Sequence, residues 1–273
     1  MYCSKVFRAI MAVFLITGGL FMSSIVNAAD PTQEIETCTR AIELDPNDAA
    51  AYNNRGLAYF ELHQLERAIQ DYDKAIELAP NVDNIYGNRG FAYLCLGQYE
   101  QAIQDYTKVL ELNPNSFKTY PFRGLAYSYL SQHERAIEDL NRYIQLVQDD
   151  YYGYEIRGMI YKAKGDYDKA VDDYSKAIQL KPNNSDLYLT RGVAYSNLNE
   201  RDMAIADYTK AIELDPNNAK AYSNRAGDYY HLEQYEKAIQ DYSKAIQLEP
   251  SDSFMYDFRG NAYYKLEQYE QAI

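Results

Sequence analysis

Histidine and cysteine are scarce in this chain, with three of each in 273 residues. His63, His133 and His231 stand far apart, and none has a second ligand at metal-binding spacing. There is no glycine-rich phosphate loop, no nucleophile elbow and no zinc-protease helix motif. No catalytic, cofactor or metal residue is therefore assigned, and the chain reads as a non-enzyme. Positive charge is also short: 27 Lys and Arg stand against 40 Asp and Glu, a formal −13. Nucleic acid, whose phosphates need a basic face, is a poor partner for such a chain, and so is anionic lipid.

Long apolar runs are missing too, except for 18 residues from Ala9 to Val26. Lys5 and Arg8 precede that run, and Val26-Asn27-Ala28 follows it with small residues. The pattern predicts a secretory signal over residues 1–28, cleaved after Ala28. An uncleaved signal anchor is the rival reading, because 18 residues just suffice to span a bilayer; Gly18-Gly19 and the small-residue exit favour cleavage. Either way the rest of the chain leaves the cytoplasm, for the periplasm or the extracellular space. Cleavage leaves no integral membrane span, and loss of Lys5 and Arg8 takes the charge from −13 to −15. Cys38 and Cys95 remain, 57 residues apart. They are expected to be small buried apolar groups with no bond between them.

Of eight prolines, Pro46, Pro80, Pro114, Pro182, Pro216 and Pro250 lie on one ladder of step 34, and Gln148 occupies the missing rung. Each rung carries the same residues. In block 49–82 these are Tyr52, Arg55, Gly56 and Tyr59, then Ala68, Asp71, Tyr72 and Ala75. Both sets are spaced i, i+3, i+4, i+7, which lines one face of a helix. Two amphipathic helices per repeat follow, closely approached where Gly56 faces Ala68, and ended by the proline. One pair alone leaves an apolar flank that only the next pair can cover.

These residues resemble the tetratricopeptide repeat. The resemblance covers full blocks 49–82, 83–116, 117–150, 151–184, 185–218 and 219–252. A second helix alone precedes them in 29–48, and a truncated seventh copy follows in 253–273. It implies an all-α, right-handed α-solenoid of stacked antiparallel helix pairs. Two departures recur. Arginine holds position 7 in every copy, from Arg55 to Arg259, and aspartate holds position 23 in all six full copies, from Asp71 to Asp241. Both lie on inward stripes, so one buried Arg–Asp pair per repeat is expected rather than a ladder for an anionic ligand. Block 117–150 departs most, with Pro121 in its first helix, Leu140 for tyrosine, Tyr143 for alanine and Gln148 for proline. A change of pitch is expected there.

The resemblance further implies that the first helices line a groove for peptide or protein segments, reached by positions 2, 5, 6, 9, 12 and 13. The candidate residues are Asn54, Asn88, Phe91, Lys118, Phe122, Ile156 and Asn224. Asparagines at position 6 are expected to hold a peptide backbone, and aromatic pockets to take its side chains. Asn88 with Lys118 resembles a fragment of a carboxylate clamp, although Phe122 and Asn53 stand where that clamp needs Arg and Lys. The reading is an exported scaffold or adaptor for protein partners, of the kind that serves envelope assembly in bacteria. The alternatives are a stack that self-associates through its ends, and the recruiting arm of a longer enzyme.

Overall fold

The computed structural model describes residues 30–271, so the signal segment expected at 1–28 lies outside the described residues. Among these residues there are fourteen α-helices and no strands. The chain divides between Leu146 and Val147 into two compact units. The first holds α1 (Pro31–Leu44), α2 (Ala49–Glu61), α3 (Leu65–Leu78), α4 (Asp83–Leu96), α5 (Tyr99–Leu112), α6 (Thr119–Tyr129) and α7 (His133–Leu146). The second holds α8 (Tyr151–Lys164), α9 (Tyr167–Leu180), α10 (Ser185–Asn197), α11 (Arg201–Leu214), α12 (Ala219–His231), α13 (Tyr235–Leu248) and α14 (Ser253–Lys265). From α2 onward, each consecutive pair falls inside one of the six blocks. Within each unit, every helix packs on its chain neighbours, and first helices touch the next first helix, as α2 does α4 and α10 does α12. This is the all-α solenoid of helix pairs that the repeat predicts.

Local chemistry sets the ends of these helices. Asp48 accepts from the Ala51 amide at 2.9 Å and Asn218 from the Ala221 amide at 3.1 Å, each satisfying an orphan donor at the start of a first helix. Every turn after a first helix contains one residue with positive φ, again at a step of 34: His63, Gly97, Ser131, Gly165, Asn199, Glu233 and Glu267. Only two are glycine, so five turns hold a side chain in a region that L-residues disfavour.

The core is built from the repeating small and aromatic residues. Tyr72, Tyr106, Tyr174 and Tyr208 are fully buried. A Cβ on Gly56 would lie 2.6 Å from the Tyr72 ring, which is why that position stays small where the helices cross. The third block closes differently. Leu140 and Tyr143 are both buried, so the copy divides its core volume in another way. Pro121 stands in the first helix of this block, but α6 starts only at Thr119, so Pro121 lies in its first turn. There the missing N–H is not needed. The boundary between the units falls just before Gln148.

Each expected Arg–Asp pair forms. In all six full copies the arginine Nε and Nη2 donate to the two oxygens of the aspartate at 2.6–2.9 Å. The remaining Nη1 reaches back to the preceding repeat: Arg55 to Thr39, Arg89 to Asp73, Arg123 to Thr107, Arg191 to Ser175 and Arg225 to Thr209. The tyrosines three before and four after flank the guanidinium at 5.7–6.0 Å in the copies from Arg89 to Arg225. The recurrent Tyr-x-x-Arg-x-x-x-Tyr is thus one unit, a fork held between two rings. Hydrogen bonding to Asp173 raises the Arg157 guanidinium above its usual range. Burial also pushes Asp173 up, against the pull of Arg157, which is the desolvation cost of a buried pair. Cys38 and Cys95 are both buried and are not bonded to each other, as expected. Burial, helped by Glu34, pushes the Cys38 thiol up to about 12, so it stays protonated.

Candidate peptide-binding face

The seven candidate residues separate into two groups. Asn54 is exposed on α2, Asn224 is half-buried on α12, and Lys118 is half-buried just before α6. Lys118 borders a hollow of about 390 Å³ beside Asp83, whose Oδ2 accepts from Asn113 Nδ2 at 2.9 Å and Ser116 Oγ at 3.3 Å.

The other four are corrected by their surroundings. Phe91 is 3% exposed and Phe122 7%, and with Phe60 they form a row of rings whose centroids lie 5.3 and 5.6 Å apart. Ile156 is 2% exposed. Phe91 and Phe122 fill the seam between successive first helices, and none of the three side chains offers surface to a ligand. Asn88 is 4% exposed and donates from Nδ2 to Asn53 Oδ1 at 2.9 Å, so its amide already bridges α4 to α2 and forms no clamp with Lys118. Position alone does not separate groove from seam: position 6 is exposed in Asn54 and buried in Ile156.

Within the second unit, α10, α12 and α14 enclose a cleft of about 620 Å³. It exists because copy six departs from the others at two adjacent positions. Position 9 carries Leu57, Phe91, Leu125, Met159 and Val193 in earlier copies, but Gly227 here, and a Cβ on Gly227 would meet only the Tyr242 hydroxyl, at 3.7 Å. Position 10 is alanine in five of seven copies and Asp228 here. Asp228 is 2% exposed. Its Oδ1 accepts from Arg201 Nη1 at 2.6 Å and from Ser196 Oγ at 2.8 Å. Arg201 is itself a departure, at a position that is tyrosine in four other copies. Asp228 Oδ2 is buried and has no hydrogen-bond partner. Asn224, Asn261, Tyr230 and Phe258 complete the walls. Burial, with Tyr230 and Asp228 nearby, pushes the Tyr242 phenol up to about 12, so it remains a neutral hydroxyl. Sequence reading missed Arg201 and Asp228. The signal was available: two charged residues replacing uncharged ones, 27 positions apart.

A sequence model of the tetratricopeptide repeat matches residues 49–82, 84–116, 185–218 and 219–252, and a second TPR-repeat model matches 158–199. Together they span more than half of the chain. The chain belongs to the tetratricopeptide-repeat family. The matched ranges leave out 117–157, which contains the divergent third block of the array. Among solved tetratricopeptide-repeat structures, YrrB, described as having an unusual peptide-binding site, is 27% identical with a TM-score of 0.56, over 68% of this chain and 96% of that one. A repeat protein from Parabacteroides merdae shares the fold at 21% identity and TM-score 0.66, over 96% and 99% of the two chains. A chain of the APC/C hetero-tetramer Cut9–Hcn1 does so at 21% and 0.66; the match takes in 85% of this chain but only 46% of that one. Comparison with curated proteins gives no match. No described helix is long and apolar enough to cross a membrane, and no described His, Cys, Asp and Glu cluster could hold a metal ion.

Proposed function

We propose that this chain is an exported scaffold that binds segments of other proteins on its first helices and acts without catalysis. The observation that carries the reading is the cleft at Gly227 and Asp228. The positions that hold the fold repeat from copy to copy, whereas here two neighbouring residues of one first helix abandon the repeat and open a polar hollow. A purely structural array has no need of such a change. Likeness to YrrB, a peptide-binding protein of the same family, supports the reading, as does the exposure of Asn54 and Asn224. Export is supported by Lys5, Arg8 and the apolar run behind them.

Selection of a random peptide library on the purified chain, followed by fluorescence anisotropy with the enriched peptides, tests binding. Saturable binding of the enriched sequences is expected; no enrichment over a bare support would refute it. Sequencing the N-terminus of chain secreted from an expressing cell tests export, with Ala29 as the expected first residue. Recovery only of intact chain in the cytoplasm counts against it.

A further inference from the structure

We infer that the cleft between α10, α12 and α14 is a side-chain pocket for an arginine of the bound protein segment, read by Asp228. This rests on the reading that the chain binds protein segments and specifies what one part of that surface selects.

The argument starts from Asp228 Oδ2. A buried carboxylate oxygen without a donor is costly, and native structures rarely leave one so. The same carboxylate shows that the site is built, because Arg201 and Ser196 converge on its other oxygen at 2.6 and 2.8 Å. They hold the carboxylate by one oxygen and leave Oδ2 buried without a donor, in a residue that lines the cleft. Nothing in the fold asks for this arrangement, since alanine serves at the same position in Ala58, Ala92, Ala126, Ala194 and Ala262. Gly227 supplies the room. Every earlier copy places a larger apolar side chain at that point.

The cleft therefore requires a donor that enters through an opening. A guanidinium carries five N–H donors and no acceptor. It suits a wall that offers the Asp228 carboxylate, already paired on one oxygen with Arg201, and the side-chain amides of Asn224 and Asn261, which can turn an oxygen toward it. Tyr230 and Phe258 add ring faces on which a planar cation stacks. Arg201 neutralises one carboxylate, but the chain as a whole is at −13, so an approaching basic segment is drawn in.

The test uses short acetylated and amidated peptides with randomised flanks around a fixed central arginine, citrulline or norleucine, bound to the whole chain and to two variants. Asp228→Ala restores the residue that other copies carry, and Gly227→Leu restores the bulk; circular dichroism checks that both variants are folded. Wild type is expected to hold the arginine set about 10- to 100-fold more tightly than the citrulline and norleucine sets, with the preference lost in both variants. Equal binding of citrulline and arginine, or a preference unchanged in Asp228→Ala, overturns the inference while leaving protein binding intact. A wild-type chain that holds none of the peptides counts against the protein-binding reading and this inference together.

Discussion

Arg191 reaches out of its own repeat: its Nη1 donates to Ser175 Oγ at 3.0 Å, while Nε and Nη2 hold Asp207 at 2.8 and 2.7 Å. One side chain thus fastens the two helices of its repeat and ties them to the repeat before. The coupling between neighbours, on which a one-dimensional array depends, has a polar part as well as the apolar seam.

Removing that arginine strands a buried carboxylate, because Asp207 is 8% exposed. Arg191→Met is expected to destabilise by about 3–5 kcal/mol, and the double change with Asp207→Leu by much less. Ser175→Ala is expected to cost about 1 kcal/mol. Urea unfolding of the four proteins measures all three; equal losses in the single and double arginine variants would show that the pair is not the unit.

Phe91 and Phe122 are expected to behave as core. Phe91→Ala should cost about 3–5 kcal/mol of stability, because it empties the row between Phe60 and Phe122. Thermal unfolding checks it. An unchanged midpoint would mean that the ring lies at the surface.

How much was legible follows from what repeats. The helix pairs, the 34-residue step, the Gly56–Tyr72 approach and the Arg–Asp pairs were all open to reading, because seven imperfect copies act as internal controls on one another. The seam and the groove were not separated, because both fall on one stripe of the first helix. Asn54 and Ile156 hold the same position of the repeat and still differ in exposure, so helix phase does not decide it. Arg201 with Asp228 escaped because the pairing crosses repeats and occurs in one copy.

Glu155 makes the second unit sensitive to pH. Burial first, and then the nearby Asp186, push its carboxyl from 4.5 up to about 7. A folded-state value above the unfolded one means that the folded chain holds the proton longer. Stability from this group is therefore full below about pH 4.5 and is lost as the pH rises through about 7. Glu155→Gln should raise the melting temperature at pH 8 and flatten its fall from pH 5 to pH 8. A variant whose profile parallels wild type would contradict this assignment.

The turns carry a further prediction. Gly165 has φ of 87° and nothing within 4 Å of an added Cβ, so Gly165→Ala isolates the backbone cost of the left-handed residue, about 1 kcal/mol. Glu233, at φ of 61°, is expected to gain up to about 1 kcal/mol on change to glycine. Opposite signs for the two substitutions in calorimetry support the account, and equal signs oppose it.

Whether first helices are the binding face is tested most directly by photocrosslinking. A benzophenone amino acid is placed at Asn224 on α12, at Asn54 on α2, or at Gln240, which is exposed on the second helix α13. With a library-selected peptide present, covalent adducts are expected from positions 224 or 54 and not from 240. Adducts from position 240 alone would place the partner on the second helices and contradict the account.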